Sequence, residues 1–314
     1  YIYIVYLVKH YSGGITAYSN GKINNCSTST RSIIKNSYDS ESDSCSAYIG
    51  GIAGYSTAEI SECSNNATVT STTKSYSYVG GITSYSTAEI NKCTNSGIIY
   101  SYSNYKNSSY GGGISSYSTA NISNCTNSGA ITSSSSSYSY GGGIAGYSTA
   151  NISNCTNNEI IKSTSSSISN ICVNSYGGGI SGYSNASMND CINNGNIIST
   201  SDSYSSSSYG GGISGYSINK IKCCVNNGDL ICSSKSSSRF YSSSRPFSYS
   251  YEGGISGFSS DNINSCVNNG NLISNCSHNY DSNCYVGGII GNIYCSSDAK
   301  EIIISNNYNT GDIN

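Results

Sequence analysis

Nine copies of one short pattern run through this 314-residue chain, and the fixed spacing inside each copy limits what it can fold into. Residues 140–161, YGGGIAGYSTANISNCTNNEII, are representative. With the isoleucine of Gly-Gly-Ile as origin, the copies are anchored at Ile15, Ile52, Ile82, Ile114, Ile144, Ile180, Ile213, Ile255 and Ile289. Four residues before every anchor stands a tyrosine: Tyr11, Tyr48, Tyr78, Tyr110, Tyr140, Tyr176, Tyr209, Tyr251 and Tyr285. Three after it comes a second aromatic series, from Tyr18 and Tyr55 through Tyr147 and Tyr216 to Phe258, with Asn292 in the last copy. Eleven after it the first eight copies carry cysteine: Cys26, Cys63, Cys93, Cys125, Cys155, Cys191, Cys224 and Cys266. The ninth copy, realigned across an insertion, puts Asn307 in that place.

A period near thirty residues is the mark of stacked repeats. Equivalent residues then lie over one another at roughly 4.8 Å per coil, so each fixed position becomes a ladder of like side chains. Within one copy Cys155, Asn157, Glu159 and Ile161 share parity, as do Tyr140, Gly142, Ile144 and Gly146, and a period of two signals strand. The change of parity before Ile152 and Cys155 implies a corner. Helix is the losing reading, because Gly, Ser, Asn, Thr and Tyr form helix poorly and no stripe of period 3.6 is present. The expectation is an all-β chain, one domain over residues 1–314, folded as a right-handed parallel β-solenoid of about nine coils. Its handedness comes from the crossover rule.

Spacers of variable length separate the copies, from residues 70–77 up to residues 231–250. They read as solvated loop or weakly patterned strand, with serine runs such as 133–137 and 205–208 exposed.

The motif Gly-Gly-Ile-x-Gly-Tyr followed by Ile-x-Asn-Cys-x-Asn-x-Gly-x-Ile resembles the GLUG repeat of bacterial and protist cell-surface proteins. The likeness covers the larger part of each copy. It departs after the cysteine, where that family often has an aromatic. Here Thr126, Thr156, Val225 and Val267 stand in that place, and only Tyr308 is aromatic. The resemblance implies a surface repeat protein and names no catalytic residue.

The 15 cysteines fall into two groups. Stacking in register brings ladder Cα atoms within disulfide range but leaves their Cβ vectors parallel, a poor geometry for a bridge. Buried free thiols are therefore expected there, with cross-coil pairing such as Cys26 with Cys63 as the alternative. Metal binding is the weakest reading, since no copy offers a CxxC pair. Off the ladder, Cys232, Cys276, Cys284 and Cys295 are the disulfide candidates, because loops can adjust. His278, near Cys276, Asp281 and Cys284, reads as part of a disulfide loop rather than a metal site.

Composition removes several functions. Only 10% of the residues are charged and the net charge is −2, which leaves no Lys/Arg cluster for a nucleic-acid partner. The apolar opening Tyr1, Ile2, Tyr3, Ile4, Val5, Tyr6, Leu7, Val8 is too short to span a membrane and reads as a strand at a processed or fragmentary N-terminus. Polysaccharide-cleaving β-helices need paired carboxylates, or calcium with a base, converging in a groove. No such group is visible, so neither enzymatic activity nor a cofactor is expected. Ice binding favours regular threonine columns, and Thr57, Thr87, Thr119 and Thr149 make only a short single file.

The functional expectation is thus an extracellular or cell-surface structural protein, a fibre subunit associating with itself head to tail. Residues 1–8 would complete or cover the last coil of the next copy, a heterologous and non-closing contact. The alternative is an adhesin or carbohydrate-binding solenoid that uses the tyrosine columns as stacking platforms for glycans, provided they face outward. An aromatic ladder is more often core. Sequons such as Asn121, Asn124, Asn151 and Asn154 are compatible with secretion.

Overall fold

A computed structural model describes residues 8–38, 45–104, 107–167, 172–236, 247–277, 281–294 and 302–314. Among these no residue is helical. Each full coil carries five short strands, which in the fifth coil are Tyr138–Gly142, Ala145–Ser148, Ile152–Ser153, Thr156–Asn157 and Ile161–Ser166. We call the sheets they build the first to fifth faces. Three faces have nine strands and two have eight, so the chain makes about eight turns, close to the nine coils its anchors predict.

All pairing is parallel and joins like to like. Tyr110 lies beside Tyr140 and Tyr140 beside Tyr176. Ile122, Ile152 and Met188 follow one another on the third face. The corner read from the parity change is a left-handed residue just before each cysteine, as at Asn124 (φ 55°) and Asn154 (φ 51°). Asparagine tolerates that region well, whereas Glu62, Lys92 and Cys223 occupy it in other coils.

Two compartments fill the coil. In the first, Ile144, Ile152, Cys155 and their counterparts on the second to fourth faces form a continuous apolar column. In the second, the first and fifth faces pack together as a two-layer lobe containing Ile49, Val79, Ile131, Ile161 and Leu230. Between the compartments stands a ladder of buried asparagines. Asn127 donates Nδ2 to Oδ1 of Asn157 at 2.7 Å, and Asn157 does the same to Asn193. The second Nδ2 hydrogen goes to a carbonyl two residues on, Glu159 O for Asn157 at 2.8 Å, so the buried amides are satisfied without water. The second glycine of Gly-Gly-Ile makes room for this ladder, since a Cβ on Gly143 would lie 2.5 Å from Asn157 Cγ.

Many of the described spacer serines are buried, which corrects the sequence reading that they are exposed. Ser133 and Ser135 are buried, as are Ser205 to Ser208. Strand parity turns alternate spacer residues into the lobe, where one column of hydroxyls pairs across it. Ser101 donates to Ser77 at 2.8 Å, Ser109 to Ser101 at 2.8 Å, and Ser133 to Ser109 at 2.9 Å. Serine is small enough for the sheets to approach, and a paired hydroxyl avoids the cost of unsatisfied burial. Most of the length variation falls between a fifth-face strand and the next first-face strand, as between Ile161–Ser166 and Cys172–Gly178, while the ninth coil carries its insertion between Ile290–Ile293 and Ile304–Ser305.

Urea unfolding can rank these contacts. Ile152→Ala should lower stability by about 2–5 kcal/mol through the cavity it leaves. Asn157→Ala, which strips Asn127 of an acceptor and Asn193 of a donor, should cost about 1–3 kcal/mol. Ser134→Ala, on the outward side of strand Ile131–Ser135, should stay within about 0.5 kcal/mol.

Candidate functional site

Both tyrosine columns lie outside the coil. In strand Tyr138–Gly142 the neighbours of Tyr140, Ser139 and Gly141, point inward and are buried, so strand alternation sends Tyr140 out. Tyr147 points outward from the second face. Within each column the rings are parallel at strand spacing. Centroids are 4.6 Å apart for Tyr110–Tyr140 and 4.8 Å for Tyr140–Tyr176, with interplanar angles of 4° and 3°. The second column repeats this, at 4.8 Å for Tyr117–Tyr147 and for Tyr147–Tyr183. The columns meet edge to face, Tyr140 against Tyr147 at 6.1 Å and 77°. The first column runs unbroken from Tyr11 to Tyr285 and the second from Tyr18 to Phe258.

This geometry covers the ring faces. A sugar stacks on an aromatic face, and inside these columns each face already carries another ring, leaving edges and hydroxyls toward solvent. Tyr48 and Tyr176 are only 9% and 8% exposed although they stand outside the coil. The columns as a whole are therefore not a row of stacking platforms. Tyr76 and Tyr138, each 37% exposed, stand on the first face two residues before Tyr78 and Tyr140, outside the two columns. Desolvation raises the phenols of the first column from Tyr11 to Tyr251. Tyr48 is pushed up to about 12, first by burial and then by Tyr11, and Tyr78 and Tyr140 rise further for the same leading reason.

The ladder cysteines are free thiols, buried from Cys63 through Cys93, Cys125, Cys155, Cys191 and Cys224 to Cys266, with Cys26 half-buried. Each thiol donates to a carbonyl two residues back, for example Cys155 to Ser153 at 3.2 Å and Cys125 to Ser123 at 3.1 Å. Cys26 and Cys63 are not bridged. The hydrogen bond with Cys125, together with burial, pushes Cys93 up to about 12, so this thiol stays protonated. In the ninth coil Asn307 does take the cysteine's place, accepting from Cys266 N at 2.8 Å.

Of the off-ladder candidates, Cys276 and Cys284 form a disulfide between adjacent strands Leu272–Ser277 and Asp281–Gly287. Cys232 does not. It occupies the serine column between Ser199 and Ser274, is fully buried, and donates to Ser208 Oγ at 3.3 Å. It lies in a strand rather than an adjustable loop, and the strand turns it into the lobe, away from solvent. Cys295, His278 and Tyr1 to Leu7 lie outside the described residues. Val8 opens the first strand and pairs with Cys45.

Three features were not singled out from sequence: the asparagine ladder, the serine pairs and buried Glu252. The first had a visible signal, since the residue two after the ladder cysteine is Asn157 in this coil and asparagine in its neighbours. The second had only the alternation hidden inside serine runs.

No family model matches the chain, and no curated protein or solved structure matches it. No helix among the described residues is long and apolar enough to cross a membrane.

The raised phenols have a checkable consequence. A group whose folded pKa exceeds its unfolded value of 10.0 contributes stability below that pH and loses it as pH climbs through the folded value. Alkaline titration followed by phenolate absorbance should therefore show tyrosines that ionise only above about pH 12, in step with loss of the β circular-dichroism signal. A single titration near pH 10 with the fold intact would contradict the ladder packing.

Proposed function

We propose that this chain is an extracellular or cell-surface structural repeat protein, a stiff rod whose copies associate end to end into a fibre. The observation that carries this reading is the in-register stacking of every repeated position. Ile, Cys, Asn, Ser and Tyr each form a column in which one coil is the template for the next. The most regular residues of the chain thus serve coil-to-coil contact, the property a rod needs. A coil of a second copy would meet the same columns in the same register, a heterologous contact that propagates. The Cys276–Cys284 disulfide supports an oxidising location, and the likeness to GLUG repeats points the same way.

A second reading, glycan binding by an adhesin, is favoured by one feature only, the ring area left open on Tyr76 and Tyr138.

Negative-stain imaging and sedimentation of the purified protein test the first reading. Rods about 40 Å long, the height of nine strand spacings, should join into filaments whose length grows with protein concentration. Particles that stay single at every concentration would remove the fibre role. Surface labelling of intact source cells with an antibody tests the location independently.

A further inference from the structure

Three residues before each anchor, the side chain points into the lobe. That column reads Ile49, Val79, Gly111, Gly141, Gly177, Gly210, Glu252, Val286 from the second coil onward. A carboxylate thus stands where every other of these coils has glycine or an aliphatic residue, and Glu252 is fully buried.

Its surroundings do not suit a charge. Oε1 accepts from Ile273 N at 3.0 Å and the Ser274 hydroxyl also faces the carboxyl, while Oε2 is buried with no hydrogen-bond partner among the described residues. Gly210 and Val286 lie on either side in the sheet. Across the lobe are the fifth-face strands that carry Leu230 and Cys232, and Leu272 and Ser274. Ser274 is shared with Ser250, at 2.9 Å between hydroxyls. The titratable group that faces Glu252 is Cys232, itself pushed up to about 12 by burial and by this carboxyl. Lys235, further along the same strand, is exposed. An ionised Glu252 would be an uncompensated charge in a dry core, whereas the neutral acid fits.

We propose that Glu252 is a pH-sensitive latch: when protonated it lets the eighth lobe close, and its ionisation opens that lobe and loosens the coils anchored at Ile255 and Ile289 from the rest of the rod. Burial holds the carboxyl up at about 8, in agreement with this. Because the folded value lies above the ordinary 4.5, the acid stabilises the lobe fully below about pH 4.5, and the effect is lost as pH rises through about 8. In a stacked array each coil contacts only its neighbours, so the opening stays local. This inference is independent of fibre formation, since it concerns the single molecule.

Hydrogen exchange corrected for intrinsic rates, measured from pH 5 to 9 on the full chain, tests it. Amides of strands Leu230–Ser236, Phe247–Gly253 and Leu272–Ser277 should open more readily as pH rises, by up to tenfold per pH unit below about pH 8. The coils anchored at Ile82 to Ile180 should not change. Glu252→Gln should abolish the pH dependence. Glu252→Val, which places the residue of the following coil there, should abolish it too and keeps the test open if the glutamine variant fails to fold. The same pH dependence in either folded variant as in the parent protein would overturn the latch, as would equal opening of all coils.

Discussion

Everything in this molecule depends on parallel, in-register pairing of one coil with the next. The backbone bonds recur at every rung, with Ile114 N to Ile144 O at 3.0 Å and Ile144 N to Ile180 O at 2.9 Å. These bonds are indifferent to side chain, so by themselves they do not select a register. The columns do that. A slip of one residue along a strand would turn every inward side chain out and set Ile152 and Asn157 against the wrong neighbours, which is why the repeats hold their spacing so strictly.

Polar columns specify register more sharply than apolar ones. A buried isoleucine loses little when its neighbour shifts by half a rung, while a buried amide loses its partner. The asparagine ladder places such a penalty at the junction of the two compartments. The serine pairs do the same within the lobe, beside its isoleucine, valine and leucine side chains. A chain with few leucines and no tryptophan can hold an ordered interior in this way, using hydrogen bonds where other folds use bulk. Glu252 departs from the pattern in kind, a carboxyl with one unpartnered oxygen where the coils from the second onward otherwise carry glycine or an aliphatic residue.

The tyrosines extend the same principle to the outside. Each column completes itself, ring on ring, and the two columns seal the edge between the first and second faces. Aromatic surface that would be adhesive if its faces were open is mostly turned against itself. That favours a structural role for the columns over recognition.

Much of this was legible beforehand. Constant offsets from Ile144 back to Tyr140 and forward to Tyr147, Ile152 and Cys155 announced stacked coils, and parity within 155–161 announced strands. Parallel Cβ vectors implied that the ladder cysteines stay reduced. All of these follow from local geometry repeated at a fixed period, which a sequence displays directly. The sequence alone left open whether Tyr140 faces in or out, and it misled about Ser133 and Cys232. Those outcomes were decided by which two faces pack together. A serine run looks the same in a solvated loop as in a strand, and only the close approach of the first and fifth faces turns alternate hydroxyls into buried partners. The same packing sends Tyr140 outward, puts Cys232 in line with Ser199 and Ser274, and leaves Glu252 buried, because burial belongs to the pair of surfaces in contact and not to either strand alone.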